Sequence, residues 1–290
     1  GYVSTTQQIT VFHVPSTAAA GNDQTICSGT TNLSANAPTF GSGTWSISSG
    51  PGTVTNPSSP TSAVTGLLPG QSTTLVWTIT NGPCNASIDN VVISRDVSPT
   101  IAVAGTNQNV CATSTTLGGN VPAVGNGTWS RIAGAGTVAA PNDPNSSVTG
   151  LGIGTNTFVW TIANGVCPTT SDTVNVIRDE EASQALAGPD KLIRASFTTL
   201  TGNIPTVGQG QWAVLSGSGV VTTPNSPNST ITAINPGTTV LTWTITNGTC
   251  PPKSDTMEII RSAIPNPPTV TGNQAVCYGE SVTLNATSSA

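Results

Sequence analysis

Charge is what this chain has least of. Of 290 residues only 7% are charged, seven Lys and Arg against twelve Asp and Glu, for a net charge of −5. Soluble proteins ordinarily carry about 25%. So few scattered cations cannot neutralise a phosphate track, which excludes a nucleic-acid partner. Disorder does not explain the deficit, because disordered segments are rich in charge and poor in aromatics, whereas six Trp are present. Long apolar runs are missing as well. Stretches such as Val91-Val92-Ile93 fall far short of the roughly 20 residues a membrane helix requires, so no membrane insertion is expected in this segment. One His, one Met and two Tyr leave little material for acid–base chemistry. Neither an initiator Met nor a signal peptide opens the chain, so Gly1 is not expected to be the natural N-terminus. Punctuation, in contrast, is plentiful, with 31 Gly and 22 Pro. The composition describes a secreted, all-β, uncharged polar protein.

A repeat organises these residues. Trp45, Trp129 and Trp212 are spaced by 84 and 83, and Trp77, Trp160 and Trp243 by 83 and 83. Gly21, Gly105, Gly188 and Gly272 step by 84, 83 and 84. Asn81-Gly82, Asn164-Gly165 and Asn247-Gly248 keep the same period, as do Arg95, Arg178 and Arg261. A period of about 83 is too long for a solenoid unit that shares one core with its neighbours, and it suits a small independent domain. The expected division is 15–98, 99–181 and 182–264 for three full repeats. Residues 1–14 read as the last strand of a preceding repeat and 265–290 as the start of a further one.

Within the first repeat the strand signals are short, alternating and bounded by turns. Gln24–Cys27 turns at Ser28-Gly29 into Thr31–Ala35, and Thr44–Ile47 follows with Trp45 and Ile47 on one face. Val54 and Val64 mark two weaker strands around Asn56-Pro57-Ser58-Ser59-Pro60. Leu75, Trp77 and Ile79 form the apolar face of the next strand. Asn81-Gly82 reads as a type I′ hairpin turn, and Ile88–Ser94 completes the set. Seven strands with turns every 8–12 residues predict an immunoglobulin-like sandwich. The fold class is therefore all-β, a tandem array of immunoglobulin-like β-sandwich domains. Trp45, Trp77, Trp129, Trp160, Trp212 and Trp243 are expected in the cores, because their alternation with Ile and Leu explains them without sugar stacking.

The ordered set Ala20-Gly21-Asn22-Asp23-Gln24-Thr25-Ile26-Cys27, Gly43-Thr44-Trp45-Ser46, Val64-Thr65-Gly66-Leu67 and Trp77-Thr78-Ile79-Thr80-Asn81-Gly82, with Cys84 and Arg95-Asp96 behind, resembles PKD-like and related Ig-like repeats. It is similar in particular to the tandem repeats of giant gliding-motility adhesins of Bacteroidota (the SprB type). The resemblance covers the whole chain and implies type IX export, display at the cell surface, and adhesion or movement along surfaces. The third repeat departs from the pattern, with Arg194 at the first Cys position and Gln211 before Trp212.

Six Cys occupy two fixed repeat positions: Cys27, Cys111 and Cys277 in the first hairpin, and Cys84, Cys167 and Cys250 just after the Asn-Gly pair. Such usage implies disulfides and an oxidising compartment. Pairing within a repeat, Cys27–Cys84 and Cys111–Cys167, strands Cys250, whose repeat-mate is Arg194. It also conflicts with a conventional sandwich. First and last strands both run toward the pole where the chain leaves, so Cys27 and Cys84 sit at opposite poles. A sandwich strand spans about 20–30 Å, whereas bridged Cα atoms lie roughly 4.4–6.8 Å apart. The favoured scheme is an inter-domain staple at each junction, Cys27–Cys167 and Cys111–Cys250, with Cys84 and Cys277 pairing outside this segment. Intra-domain pairing remains the alternative. Staples would stiffen the array and leave a hinge at Arg194.

Other sites are weaker. Asp23 and Asp190 lie where calcium ligands occur in extracellular arrays. However, the second repeat has Asn107 there, and no loop carries several carboxylates, so Asx turns are the expected reading and no metal or cofactor is assigned. Asp172-Thr173-Val174 and Asp255-Thr256-Met257 match the O-glycosylation pattern that the resemblance implies, making Thr173 and Thr256 candidates; ordinary strand residues explain them equally. His13 reads as a solvated strand residue. Lys191 and Lys253 fall in one repeat only, which removes Lys–Asn isopeptide bonds as a repeating device. No Ser–His–acid set recurs, and no enzyme is expected. Three functions stay open: a structural stalk of a cell-surface adhesin, a carbohydrate- or protein-binding module, and a subunit of an extracellular filament. The partners in view are neighbouring repeats, surface polysaccharide or other copies of the chain.

Overall fold

A computed structural model describes residues 6–263, 267, 269–271, 275 and 277–287. Gly272 of the glycine series and several other positions in 1–14 and 265–290 lie outside these. Every regular element among the described residues is a strand. Two compact units divide the chain, Gly1–Gln108 with Ser114–Val176, and Asn109–Thr113 with Ile177–Ala290.

In the first repeat, β1 (Gln24–Ile26), β7 (Ser87–Arg95), β6 (Gln71–Thr80) and β3 (Ser42–Ser49) form one sheet in that order. The second sheet is β2 (Thr31–Asn32), β5 (Ala63–Thr65) and β4 (Thr53–Val54). Side chains from both sheets meet in one core that includes Leu33, Val64, Leu75, Ile79, Val91 and Ile93. The second repeat runs β8 (Gln108–Val110), β9 (Ser114–Thr116), β10 (Asn126–Ala133), β11 (Thr137–Val138), β12 (Ser147–Thr149), β13 (Gly154–Ala163) and β14 (Thr170–Arg178). The third runs β15 (Lys191–Ile193), β16 (Thr198–Thr199), β17 (Gln209–Ser216), β18 (Val220–Val221), β19 (Thr230–Thr232), β20 (Gly237–Thr246) and β21 (Lys253–Arg261). Each again divides into a four-stranded and a three-stranded sheet. Beyond them β22 (Thr269–Thr271) pairs with β23 (Asn285–Thr287).

The period-2 alternation of β6 decides its faces: Leu75, Trp77 and Ile79 are fully buried while Thr74, Val76 and Thr78 are half-exposed. Trp45 stands directly opposite Trp77 across the β3–β6 ladder, with ring centroids 5.0 Å apart. Trp129–Trp160 and Trp212–Trp243 repeat the pair at 5.1 Å. All six rings are at most 2% exposed. The Trp45, Trp129 and Trp212 indoles donate to the carbonyls of Pro60, Pro144 and Pro227, so the Pro-rich turn supplies the acceptor a buried indole needs. The Gly two residues before this Trp is required as well. A Cβ on Gly43, Gly127 or Gly210 would fall 2.0 Å from the Trp77, Trp160 or Trp243 ring that crosses it.

Two expectations are corrected. Residues 6–14 form no strand, because a ladder needs a neighbouring strand and none flanks them among the described residues. His13 instead stacks on Phe40 at 4.5 Å. The Asn81-Gly82 pair is not a two-residue type I′ turn either. β6 ends at Thr80 and β7 starts at Ser87. Gly82 has φ +56° as the first central residue of a turn in which the Cys84 amide donates to the Asn81 carbonyl. Type I′ needs positive φ at both central residues, and Pro83 in the second place forbids it.

Candidate functional site: the joint between repeats

The strand directions place the two kinds of Cys at opposite ends of a repeat. β1 runs parallel to β7, with Ile26 beside Arg95, so Cys27 lies where β7 finishes. β6 and β7 are antiparallel, which puts the Asn81–Ala86 loop at the start of β7, about 25–30 Å away at 3.3 Å per residue. Arg95 fixes the finishing end. Its guanidinium donates to the Cys27 carbonyl at 2.9 Å and the Leu67 carbonyl at 2.7 Å. Arg261 makes the same two links, to Arg194 and Ile234, and Arg178 reaches the Cys111 carbonyl. The periodic arginines therefore hold the backbone at the first-Cys position, which Arg194 occupies in the third repeat.

Cys27 is bridged to Cys167, with Cα atoms 4.9 Å apart. Cys111 is bridged to Cys250, at 4.8 Å. Cys84 and Cys277 carry no bridge in this chain. Each bridge thus joins the first Cys of one repeat to the second Cys of the next, not two Cys of the same repeat. Arg194 is exposed at the position that has no Cys.

Around each bridge lies a non-covalent grip. In the first joint the Asn164 side-chain amide donates to the Val97 carbonyl at 2.7 Å, and the Val166 backbone amide donates to the Asp96 carboxylate at 2.8 Å. In the second, Asn247 donates to the Glu180 carbonyl, while the Thr249 amide and hydroxyl both donate to the Asp179 carboxylate. These two bonds hold the Asp179 carboxyl below its ordinary value of 3.8, the Thr249 backbone amide being the larger cause. The Asn-Gly turn is shaped for this purpose. Gly165 and Gly248 have φ +53° and +51°, and a Cβ on either would overlap the carboxylate of Asp96 or Asp179. Counting back from the repeat glycines, Phe12 holds the same place; it packs over Gly82, and Asn81 donates to the His13 carbonyl.

Asp96 and Asp179 were not singled out from the sequence as joint residues. Their only signal is the Arg-Asp dipeptide at a constant period, which marks them without saying what they touch. The other sequence candidates have local structural roles. Asp23, Asn107 and Asp190 each accept a backbone amide, from Val92, Asn175 and Glu258. Among the described residues no three His, Cys, Asp or Glu side chains gather as metal ligands. Asp89, Asp172 and Asp255 accept the amides of Ala20, Ala104 and Ala187, whereas Thr173 and Thr256 are exposed on β14 and β21. A groove lined by Val121, Pro122, Asn126, Asn142 and Pro144 has no aromatic or charged wall.

No family model and no curated protein matches the chain. Solved structures do. Three consecutive Ig domains of titin, in a mutated variant, are 12% identical over 86% of this chain and 99% of that one, with a TM-score of 0.52. Extracellular domains 3–5 of Drosophila OTK give 9% identity over 86% of this chain and 97% of that chain, with a TM-score of 0.42. Immunoglobulin domains 1–5 of Sidekick-1 give 12% over 89% and 62%, with a TM-score of 0.40. The titin likeness, together with the sheets and cores, shows the fold: the chain is a tandem array of Ig-like β-sandwiches.

Proposed function

We propose that this chain is a structural stalk segment of a long cell-surface adhesin, exported and displayed outside the cell. Its work there, as the resemblance to gliding-motility adhesins implies, is adhesion and movement along surfaces. The observation that carries the reading is the joint: a disulfide, an Asn–carbonyl bond and an amide–carboxylate bond, built twice from the same repeat positions. Independent binding modules on flexible linkers have no use for such a joint, because contacts between domains of one chain are ordinarily small and permit motion. Disulfides persist in oxidising compartments, which supports an extracellular location.

In this reading the repeats span 15–98, 99–181 and 182–264, with 1–14 and 265–290 belonging to further repeats. Cys84 and Cys277 complete staples there, and Thr173 and Thr256 accept glycans. Partners are the neighbouring repeats first, then surface polysaccharide or other copies of the chain. The binding-module reading calls for exposed aromatic platforms, and the six Trp are buried. Antibodies raised against residues 15–98 are expected to label intact cells and to detect a polypeptide far longer than 290 residues. Loss of the gene is expected to abolish surface attachment. A short native subunit, or label only after permeabilisation, contradicts the stalk. Tight binding on a glycan array selects the module instead.

A further inference from the structure

The two bridges overlap along the chain. Cys27 and Cys167 are separated by 140 positions and Cys111 and Cys250 by 139, while the repeat is shorter than either, so each loop encloses one Cys of the other. Treated as covalent nodes, Cys27/Cys167 and Cys111/Cys250 are then connected by three separate stretches of backbone. These are Cys27 to Cys111, Cys111 to Cys167, and Cys167 to Cys250. Pairing within each repeat produces nothing of the kind; it gives two closed loops joined in series by one strand.

From this topology we propose a further function: the segment is a strain-limited, cleavage-tolerant tether. Its reach is capped by the shortest of the three stretches, and its continuity survives backbone cuts. The proposal rests on the bridges alone and not on the adhesin reading. Tension applied to the two ends enters at Cys27 and leaves at Cys250, so once the sandwiches unfold the Cys111–Cys167 stretch becomes taut first. At up to about 3.5 Å per residue, its roughly 56 residues reach about 200 Å. The whole run from Cys27 to Cys250 would reach about 780 Å. The remaining two stretches stay slack behind it. Proteolysis obeys the same connectivity. Water cleaving a peptide bond anywhere between Cys27 and Cys250 leaves the ends joined. Separation requires a cut in each of the three stretches, or reduction of the bridges by a thiol together with a backbone cut. For a protein exposed to secreted proteases and to pulling, both properties preserve length and continuity.

Single-molecule stretching of the full chain, held at its two ends after alkylation of free thiols, tests this directly and needs no folded variant. The oxidised chain is expected to stop at about 200 Å between the nodes, and a reducing agent is expected to extend that to about 780 Å. Opening one bridge with Cys111→Ser leaves the longer Cys167–Cys250 stretch in the load path, and the stop moves to about 290 Å. Cys27→Ser gives nearly the same value through Cys27–Cys111. The intact chain is thus shorter than either single-bridge variant. A stop near 390 Å in the oxidised chain, the length left by pairing within repeats, overturns the proposal. So does a chain that separates on a non-reducing gel after a single backbone cut between Cys27 and Cys250.

Discussion

Gly165 shows how little room the joint allows. Its positive φ already disfavours an L side chain, and the Asp96 carboxylate fills the place a Cβ would take. Gly165→Ala is expected to cost more than about 1 kcal/mol and to speed hydrogen exchange at the Val166 amide. Unchanged exchange there would mean that the grip does not depend on this glycine. Ala233 presents the opposite case. It takes φ +54° where the two earlier repeats have Gly66 and Gly150, both at +70°. Because a left-handed non-glycine residue costs roughly 1–2 kcal/mol, Ala233→Gly is expected to stabilise the third repeat by about 1 kcal/mol, raising its thermal midpoint. Asp179 gives a pH test. Its carboxyl is lowered in the folded state by the Thr249 bonds, so its contribution is present above the unfolded value and is lost as pH falls through the folded one. NMR titration should move the Thr249 amide resonance in that acidic window, and Asp179→Asn should remove the transition. At this scale the sequence was only partly legible. Trp and Gly at a fixed period announced themselves, but an Asp that acts on the next repeat looks like any Asp after a strand. Asn-Gly reads in sequence as a local turn because that is its commonest use. Its amide in fact serves a neighbour some 67 residues away in sequence.

The paired long strands carry the core. Gly127 lets β10 pass under the Trp160 ring of β13, and a methyl group there has nowhere to go against that buried indole. Gly127→Ala is therefore expected to destabilise the second repeat by at least about 1–3 kcal/mol, the ordinary range for overpacking, measured by denaturant unfolding. Arg95 acts on element ends, tying the close of β7 to the backbone of Cys27 and Leu67. In Arg95→Met the Cys27–Cys167 bridge is expected to re-form more slowly on oxidative refolding, since the Cys27 backbone loses its anchor; an unaltered rate would contradict that role. The strand pattern itself was readable, because period-2 alternation and Pro/Gly punctuation are local properties. The short β2 and β4 were less so. Two-residue strands owe their existence to pairing with β5, which no local pattern encodes.

At the scale of the whole chain, the shortage of charge acquires a positive meaning. Outward strand positions are filled by Thr, Ser and Asn, as in Ser72, Thr74 and Thr78 of β6 and Asn90 of β7, which stay hydrated without accumulating charge from repeat to repeat. Cohesion along the chain then falls to the joints. Pole geometry made an inter-repeat bridge the more economical pairing from sequence, because it needs only the direction of the first and last strands. The carboxylate grip beside it required coordinates. Non-reducing peptide mapping of the oxidised chain is the most direct measurement of the joint. The account predicts that peptides containing Cys27 and Cys167 are recovered linked, and likewise Cys111 and Cys250. A peptide linking Cys27 to Cys84, or Cys111 to Cys167, would contradict it.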